Sequence, residues 1–183
     1  MTVHGLLLAA GSGTRYGGPK ALARDPDGSA WLLRSVVALK PCDAITVVLG
    51  AGADEAAAML PMSVRRVLAR DWVDGMAASL KAGLESLDGE TACLVSLVDL
   101  PDVDAAVTQR MLRTPITAAT LRRATYDGVP GHPVLLGRDH WAGVIATAQG
   151  DQGARDYLRR HDELVEEIEC GDLATGADQD TPH

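Results

Sequence analysis

The stretch LLLAAGSGTRYGGPK, from Leu6 to Lys20, limits what this chain can fold into more than any other. Leu6-Leu7-Leu8-Ala9 is a short, strongly apolar run that stops at a glycine, as a buried strand does. Gly11, Gly13, Gly17 and Gly18 follow, with Arg15 and Lys20 spaced among them. Glycine lets a backbone take positive φ and come close to a ligand. Successive main-chain N–H groups in such a turn form a concave anion site. Two cations on the same loop make the natural guest a polyphosphate, and a nucleoside triphosphate needs just these features. A loop with glycines for turning only is the plainer alternative, and the recurrence of cations among the glycines weighs against it.

Two familiar phosphate loops do not fit. A dinucleotide fingerprint needs a third glycine three residues after the second, and that position, counted from Gly13, is Tyr16. It also expects an acidic residue closing the second strand, where ITVVLGAG ends on Gly50 and Gly52. Gly13 and Gly18 have the P-loop spacing, but Pro19 displaces the lysine and Ala21 stands where a magnesium-binding Ser or Thr belongs.

Further along, periodicity predicts alternating elements. AWLLRSVVALK reads as a helix closed by Pro41, DAITVVLG as a strand and GADEAAAML as a short helix before Pro61. VRRVLA is a weaker strand, interrupted by two arginines. GMAASLKAGLESL carries Met76, Leu80, Leu84 and Leu87 on one helical face. ACLVSLV is the strongest strand and runs into Asp99-Leu100-Pro101, and DVDAAVTQRMLR is the next helix. This rhythm implies right-handed crossovers and a mainly parallel sheet. The last third breaks it: AATLRRATY and GHPVLLG read as strands, GRDHWAGVIATA and GDQGARDYLRRH as helices, and LVEEIE as a final strand. The expected fold is α/β, a three-layer α/β/α, Rossmann-like and mainly parallel sheet with an antiparallel addition in the last third.

A chain of 183 residues makes one domain, or one with a small appendage. A net charge of -8 argues against nucleic acid or an anionic membrane surface as partner. Without Phe, the core must be built from Leu, Val, Ala and Ile. Cys42, Cys93 and Cys170 are scattered and odd in number, so they read as buried apolar side chains rather than a disulfide or zinc framework. No run reaches transmembrane length and LLLAA is too short for a signal peptide, so the default compartment is the cytoplasm.

Asp99 is the second anchor. It closes the strongest strand at its carboxyl end, where open α/β sheets place their ligands. If the first and fourth strands are parallel neighbours, the glycine loop lies at the same edge. A hard carboxylate beside bound phosphates is a magnesium ligand, so Mg2+ is the expected cofactor. The alternative is a solvated acid ending a strand.

The loop resembles the signature of nucleotidyltransferases that begin LAAG and end on a lysine; Ala9-Ala10-Gly11, Gly13, Arg15, Gly17 and Lys20 keep every anchor. Asp99-Leu100-Pro101 resembles that family's D-M-P, and Gly75-Met76-Ala77-Ala78-Ser79 through Gly83 resembles its G-x-x-x-S-x-x-x-G segment, which lines the base and ribose. Gly131-His132-Pro133 and Gly150-Asp151-Gln152-Gly153-Ala154-Arg155 resemble the G-H-P and G-D-x-G-A-R motifs of molybdenum cofactor cytidylyltransferases.

That resemblance implies a single NTP-transferase domain over residues 1–183, with a nucleotide part about 1–102, an acceptor part about 103–170 and a tail 171–183. It implies magnesium-dependent transfer of CMP from CTP to a phosphorylated small molecule such as molybdopterin, with a molybdoenzyme or chaperone as partner. Arg15, Lys20 and Asp99 would be catalytic. Ala9, Ala10, Gly11, Gly13, Arg15, Lys20, Gly75 and Ser79 would bind nucleotide, and His132, Asp151 and Arg155 the acceptor. Ser79 offers a hydroxyl or simply a small packing face. Asp151 would cap its own helix, His132 touches the acceptor or fills a turn, and Arg155 binds phosphate or pairs at the surface. The second metal carboxylate maps near Asp178 or Asp180, with Asp180 preferred, on a segment cut short at His183. Ala10, where guanylyl-transferring relatives have glycine, favours a pyrimidine. The alternatives are a guanylyl- or sugar-phosphate nucleotidyltransferase and a catalytically silent nucleotide-binding cofactor chaperone; a nicotinamide oxidoreductase is disfavoured by Tyr16.

Overall fold

The computed structural model describes residues 1–14 and 16–180. Its first strand, β1 (Val3–Ala9), is buried along its whole length because it is flanked on both edges and covered on both faces. Its neighbours are β2 (Ala44–Leu49) and β4 (Ala92–Leu97), both parallel to it, and β3 (Arg65–Leu68) extends the sheet beyond β2. On the other side β6 (Val129–Gly137) pairs antiparallel with β4 and with β5 (Leu121–Tyr126), and β7 (Val165–Glu169) closes the sheet parallel to β5. The order is β3-β2-β1-β4-β6-β5-β7. The expected mainly parallel sheet with an antiparallel addition is thus what forms.

Strand alternation explains the three layers. Leu7, Ala9, Val47, Leu49 and Leu94 face one core, under α1 (Trp31–Ala38), α2 (Ala53–Met59) and α4 (Ala105–Met111). Leu6, Leu8, Val48, Cys93 and Val95 face the other, under α3 (Met76–Glu85), α5 (Arg138–Thr147) and α6 (Arg155–Arg160). With no Phe available, Trp31 is the largest side chain in the first core, and its indole N–H donates to Asp25 at 2.8 Å. All three cysteines are free and buried. No described helix is long and apolar enough to cross a membrane.

The antiparallel addition begins at a two-residue turn, Asp127-Gly128, with φ of 51° and 76°. Such Asp-Gly turns match the twist of a hairpin. Glu169 holds this turn: it accepts from the N–H of Gly171 (2.7 Å), Gly128 (3.1 Å) and Asp127 (3.0 Å) and from the Thr125 hydroxyl (2.9 Å). Those donors, Gly171 first, hold its carboxyl pKa down at about 2. A folded pKa below the ordinary 4.5 contributes stability that is complete above pH 4.5 and lost as pH falls toward 2. Glu169→Gln is expected to flatten the drop in thermal midpoint across that window, read by calorimetry at successive pH values; an unchanged pH profile would contradict it.

One element differs from expectation. GDQGARDYLRRH is not a continuous helix but a single 3₁₀ turn, Gly150–Gln152, followed by α6, with the break at Gly153 (φ 53°).

Candidate active site

β1 and β4 run side by side with Leu8 opposite Leu97, so the glycine loop and the Asp99 turn leave the sheet at one edge. Gly13 makes the loop turn. Its φ is 59°, and its carbonyl accepts from the N–H of Gly17 (2.8 Å) and Gly18 (3.2 Å). A Cβ at this position would collide with the Gly18 carbonyl oxygen and lie 3.3 Å from Lys20 Cγ. Lys20 then opens a single 3₁₀ turn, Lys20–Leu22, which points it back at the edge. Arg15 lies outside the described residues.

The Lys20 ammonium sits between two carboxylates, 2.7 Å from Asp99 Oδ2 and 2.7 Å from Asp180 Oδ1. Burial works to lower its pKa, but the hydrogen bonds it donates to Asp180 and Asp99 outweigh that and hold it above its ordinary value. The lysine expected to meet phosphate therefore also balances the acidic group. Asp99, Asp178 and Asp180 each bring a carboxylate oxygen to within 4.8 Å of the others. The expected pair of carboxylates is thus a group of three, Asp178 joining the preferred Asp180. Spacing carried this signal: alternate residues of an extended segment face the same side. Three hard oxygen donors beside the glycine loop fit a divalent cation such as Mg2+ or Mn2+.

A cleft of about 810 Å³ opens over this edge, lined by Ala10 to Thr14, Lys20, Trp72, Ser79, Asp99 and Asp180. Ser79 is buried in its wall. Trp72 lies against Gly50 at the end of β2, where a dinucleotide site would place its acidic residue. Behind the cleft lies a smaller chamber of about 330 Å³ with an aliphatic floor, Leu8, Val95, Leu97, Val134 and Leu136 among it. The two spaces share Met76, Asp151, Arg155 and Asp178 along their boundary. Arg155 stands exposed there and has no ion-pair partner among the described residues, so the surface-pair alternative does not arise within them.

The other expected residues fall differently. His132 is not in a turn but on β6, lining the inner chamber, with its carbonyl accepting from the Tyr126 hydroxyl at 2.6 Å. Desolvation pushes its pKa down to about 4, so the imidazole is neutral at pH 7. Asp151 does not cap α6, whose N-cap is Ala154 without a side-chain bond. Its Oδ1 instead approaches the Met76 N–H at 3.4 Å, at the start of α3. Gly75, expected to admit a ligand, admits this segment: a Cβ there would lie 2.6 Å from Asp151 Oδ1 and 2.7 Å from the Gly150 carbonyl.

Comparison with known proteins follows the same line. Residues 5–164 match the model of the MobA-like NTP transferase domain. The chain is 34% identical to nicotine blue oxidoreductase of Paenarthrobacter nicotinovorans over 98% of this chain and 92% of that protein. It is 37% identical to a probable molybdenum cofactor guanylyltransferase of Rhodopirellula baltica over 54% of this chain and 49% of that one. Among solved structures, Rv0371c from Mycobacterium tuberculosis H37Rv superposes with a TM-score of 0.80 at 26% identity, covering 98% of this chain and 94% of that chain. The same protein has also been solved in complex with manganese, with a TM-score of 0.78 at 23% identity and the same coverage.

Proposed function

Since the chain belongs to the MobA-like NTP transferase domain family, we propose that it transfers a nucleotidyl group, CMP from CTP in first place, to a phosphorylated small molecule and releases pyrophosphate. One observation carries the reading: the glycine loop, Lys20 and three carboxylates converge on a triphosphate-sized cleft that opens into a second chamber. Residues 1–102 would hold the nucleotide, 103–170 the acceptor, and the tail 171–183 would bring Asp178 and Asp180.

In this account an acceptor phosphate oxygen bonds to the α-phosphorus as the bond from that phosphorus to the β-bridging oxygen breaks. The acceptor oxygen is already anionic at neutral pH, so no residue need remove a proton. The protein's work is alignment and charge neutralisation. Main-chain N–H groups from Gly11 to Gly13, with Arg15 and Lys20, would hold the triphosphate and receive the leaving pyrophosphate's charge. Ser79 would line the base and ribose side beside Gly75. Arg155, at the boundary of the two spaces, would hold the acceptor phosphate in line, with Asp151 keeping that segment against α3. His132, neutral in the inner chamber, would hydrogen-bond the acceptor's body. Asp99, Asp178 and Asp180 would ligate a magnesium ion, which when bound neutralises charge on the α-phosphate. Support for a metal comes from the acidic group itself and from the manganese complex of Rv0371c.

Ala10, which lines the cleft and stands where guanylyl-transferring relatives have glycine, supports CTP over GTP in this reading. The guanylyltransferase relative supports the opposite choice. A different reading, hydride transfer, is favoured by the oxidoreductase name of the relative that matches along nearly the whole chain. Tyr16 and Trp72 stand against it as a dinucleotide site of the usual kind. The test is pyrophosphate release with Mg2+, each of CTP, GTP and ATP, and a set of phosphorylated acceptors including molybdopterin. Release with CTP supports the proposal. Silence in every combination, together with fluorescence-detected NADPH binding, would replace it with the oxidoreductase reading.

A further inference from the structure

The segment that delivers Asp178 and Asp180 has no helix or strand of its own. It leaves β7 at Cys170, whose N–H donates to the Thr125 carbonyl at 2.7 Å, and Arg110 clasps the Asp172 carboxylate. From there it crosses the open edge of the sheet to the Asp99 turn. Two contacts fasten it at that edge. The Gln179 N–H donates to the Asp99 carbonyl at 2.9 Å. Both the N–H and the hydroxyl of Thr175 donate to Asp102 Oδ2, each at 2.6 Å.

Such a fastening has electrostatic work to do. Three carboxylates within 4.8 Å repel one another, and this repulsion drives an unstructured segment away from the edge. Lys20 offsets part of it by pairing with Asp99 and Asp180. Asp178 has no such ion pair among the described residues. What keeps Asp178 at the edge is therefore the backbone on either side of it, and that backbone is held at Thr175 and Gln179. Asp99 and Asp102 are three residues apart in one turn after β4. The same turn thus supplies one carboxylate and holds the chain that supplies the other two. Charged acceptors make the stronger hydrogen bonds, and a doubly donating threonine gives this one a fixed geometry.

Resting on the reading of the acidic group as a divalent-cation site, we propose that Asp102 is a positioning residue. It latches the 175–180 strap through Thr175 and so sets the site's metal affinity without touching the ion. Groups of this kind, one shell away from the ligands, change metal affinity by about 10–100-fold when removed.

The test is Mn2+ titration by electron paramagnetic resonance in the presence of CTP, with hydrogen exchange read at residues 176–180. Asp102→Ala should weaken Mn2+ binding by at least about 10-fold and speed exchange in the strap. Turnover should recover as metal is raised, a response that a general loss of structure would not give. Asp102→Asn keeps an oxygen acceptor for Thr175 and should stay close to the unaltered protein. Thr175→Val removes only the hydroxyl and should fall between; it decides the matter if Asp102→Ala does not fold. Unchanged Mn2+ affinity in Asp102→Ala and Thr175→Val would overturn the proposal. If the unaltered protein binds no Mn2+, the metal reading itself falls. Exchange then decides the latch alone: faster exchange at 176–180 in Asp102→Ala upholds it, and unchanged exchange overturns it.

Discussion

Replacing Asp99 by alanine is expected to lower turnover by at least about 10²-fold while leaving the protein folded, an effect of the size produced by losing one preorganised charge at a reacting centre. Asp99 closes β4, is part of the three-carboxylate group and pairs with Lys20 at 2.7 Å. Its removal takes one carboxylate from the group proposed to hold the metal and leaves Lys20 paired with Asp180 alone. Because β4 lies between β1 and β6, its backbone hydrogen bonds do not depend on this side chain. Asp99→Asn separates charge from shape: it keeps the volume, loses the anion, and should be nearly as slow. Steady-state pyrophosphate release reads both variants. Near-normal turnover in either would remove Asp99 from the metal site.

Gly13→Ala should abolish tight nucleotide binding, weakening it on the order of 10²-fold. Two costs add. The left-handed backbone at φ 59° costs an L-residue roughly 1–2 kcal/mol. The new Cβ also meets the Gly18 carbonyl, a backbone atom that moves only if the loop opens. Opening the loop disperses the N–H groups of Gly11 to Gly13 and shifts Lys20, whose Cγ lies beside the same position. Fold stability should fall far less than affinity, since Gly13 itself belongs to neither core. Calorimetry with CTP and a thermal melt together check this, and a Gly13→Ala variant that binds as before would show that the loop's geometry is not the binding element.

The fold was legible because its signals are local. Leu6 to Ala9 and, but for Ser96, Ala92 to Val98 are apolar throughout, as strands covered on both faces are. Placing the loop and Asp99 at one edge followed from making those two strands neighbours, and they are. The site was legible where chemistry and turn coincide, as at Lys20 and Asp99. It was not legible where a contact follows from neither a motif nor the strand order. Asp151 lies 75 residues from Met76, and Asp102 lies 73 from Thr175. No periodicity encodes such pairs, since each depends on how β6, β7 and the strap pass the sheet edge. Gly75 illustrates the ambiguity: the same missing side chain suits a ligand or a neighbouring backbone, and it is the Gly150 backbone that comes close. His132 carries two readings, a turn residue by its neighbours and a strand residue within GHPVLLG, and it lies on the strand. Gly131 and Pro133 look like turn residues, yet Gly131 to Gly137 all belong to β6.

The most direct test of the central claim is isothermal titration of the protein with CTP, GTP, ATP and NADPH, each with Mg2+. Binding of a nucleoside triphosphate is expected, with CTP well above GTP and ATP and no comparable affinity for NADPH. A preference for GTP would change the base and keep the chemistry. Tight NADPH binding with no affinity for any triphosphate would contradict a nucleotidyl-transfer site.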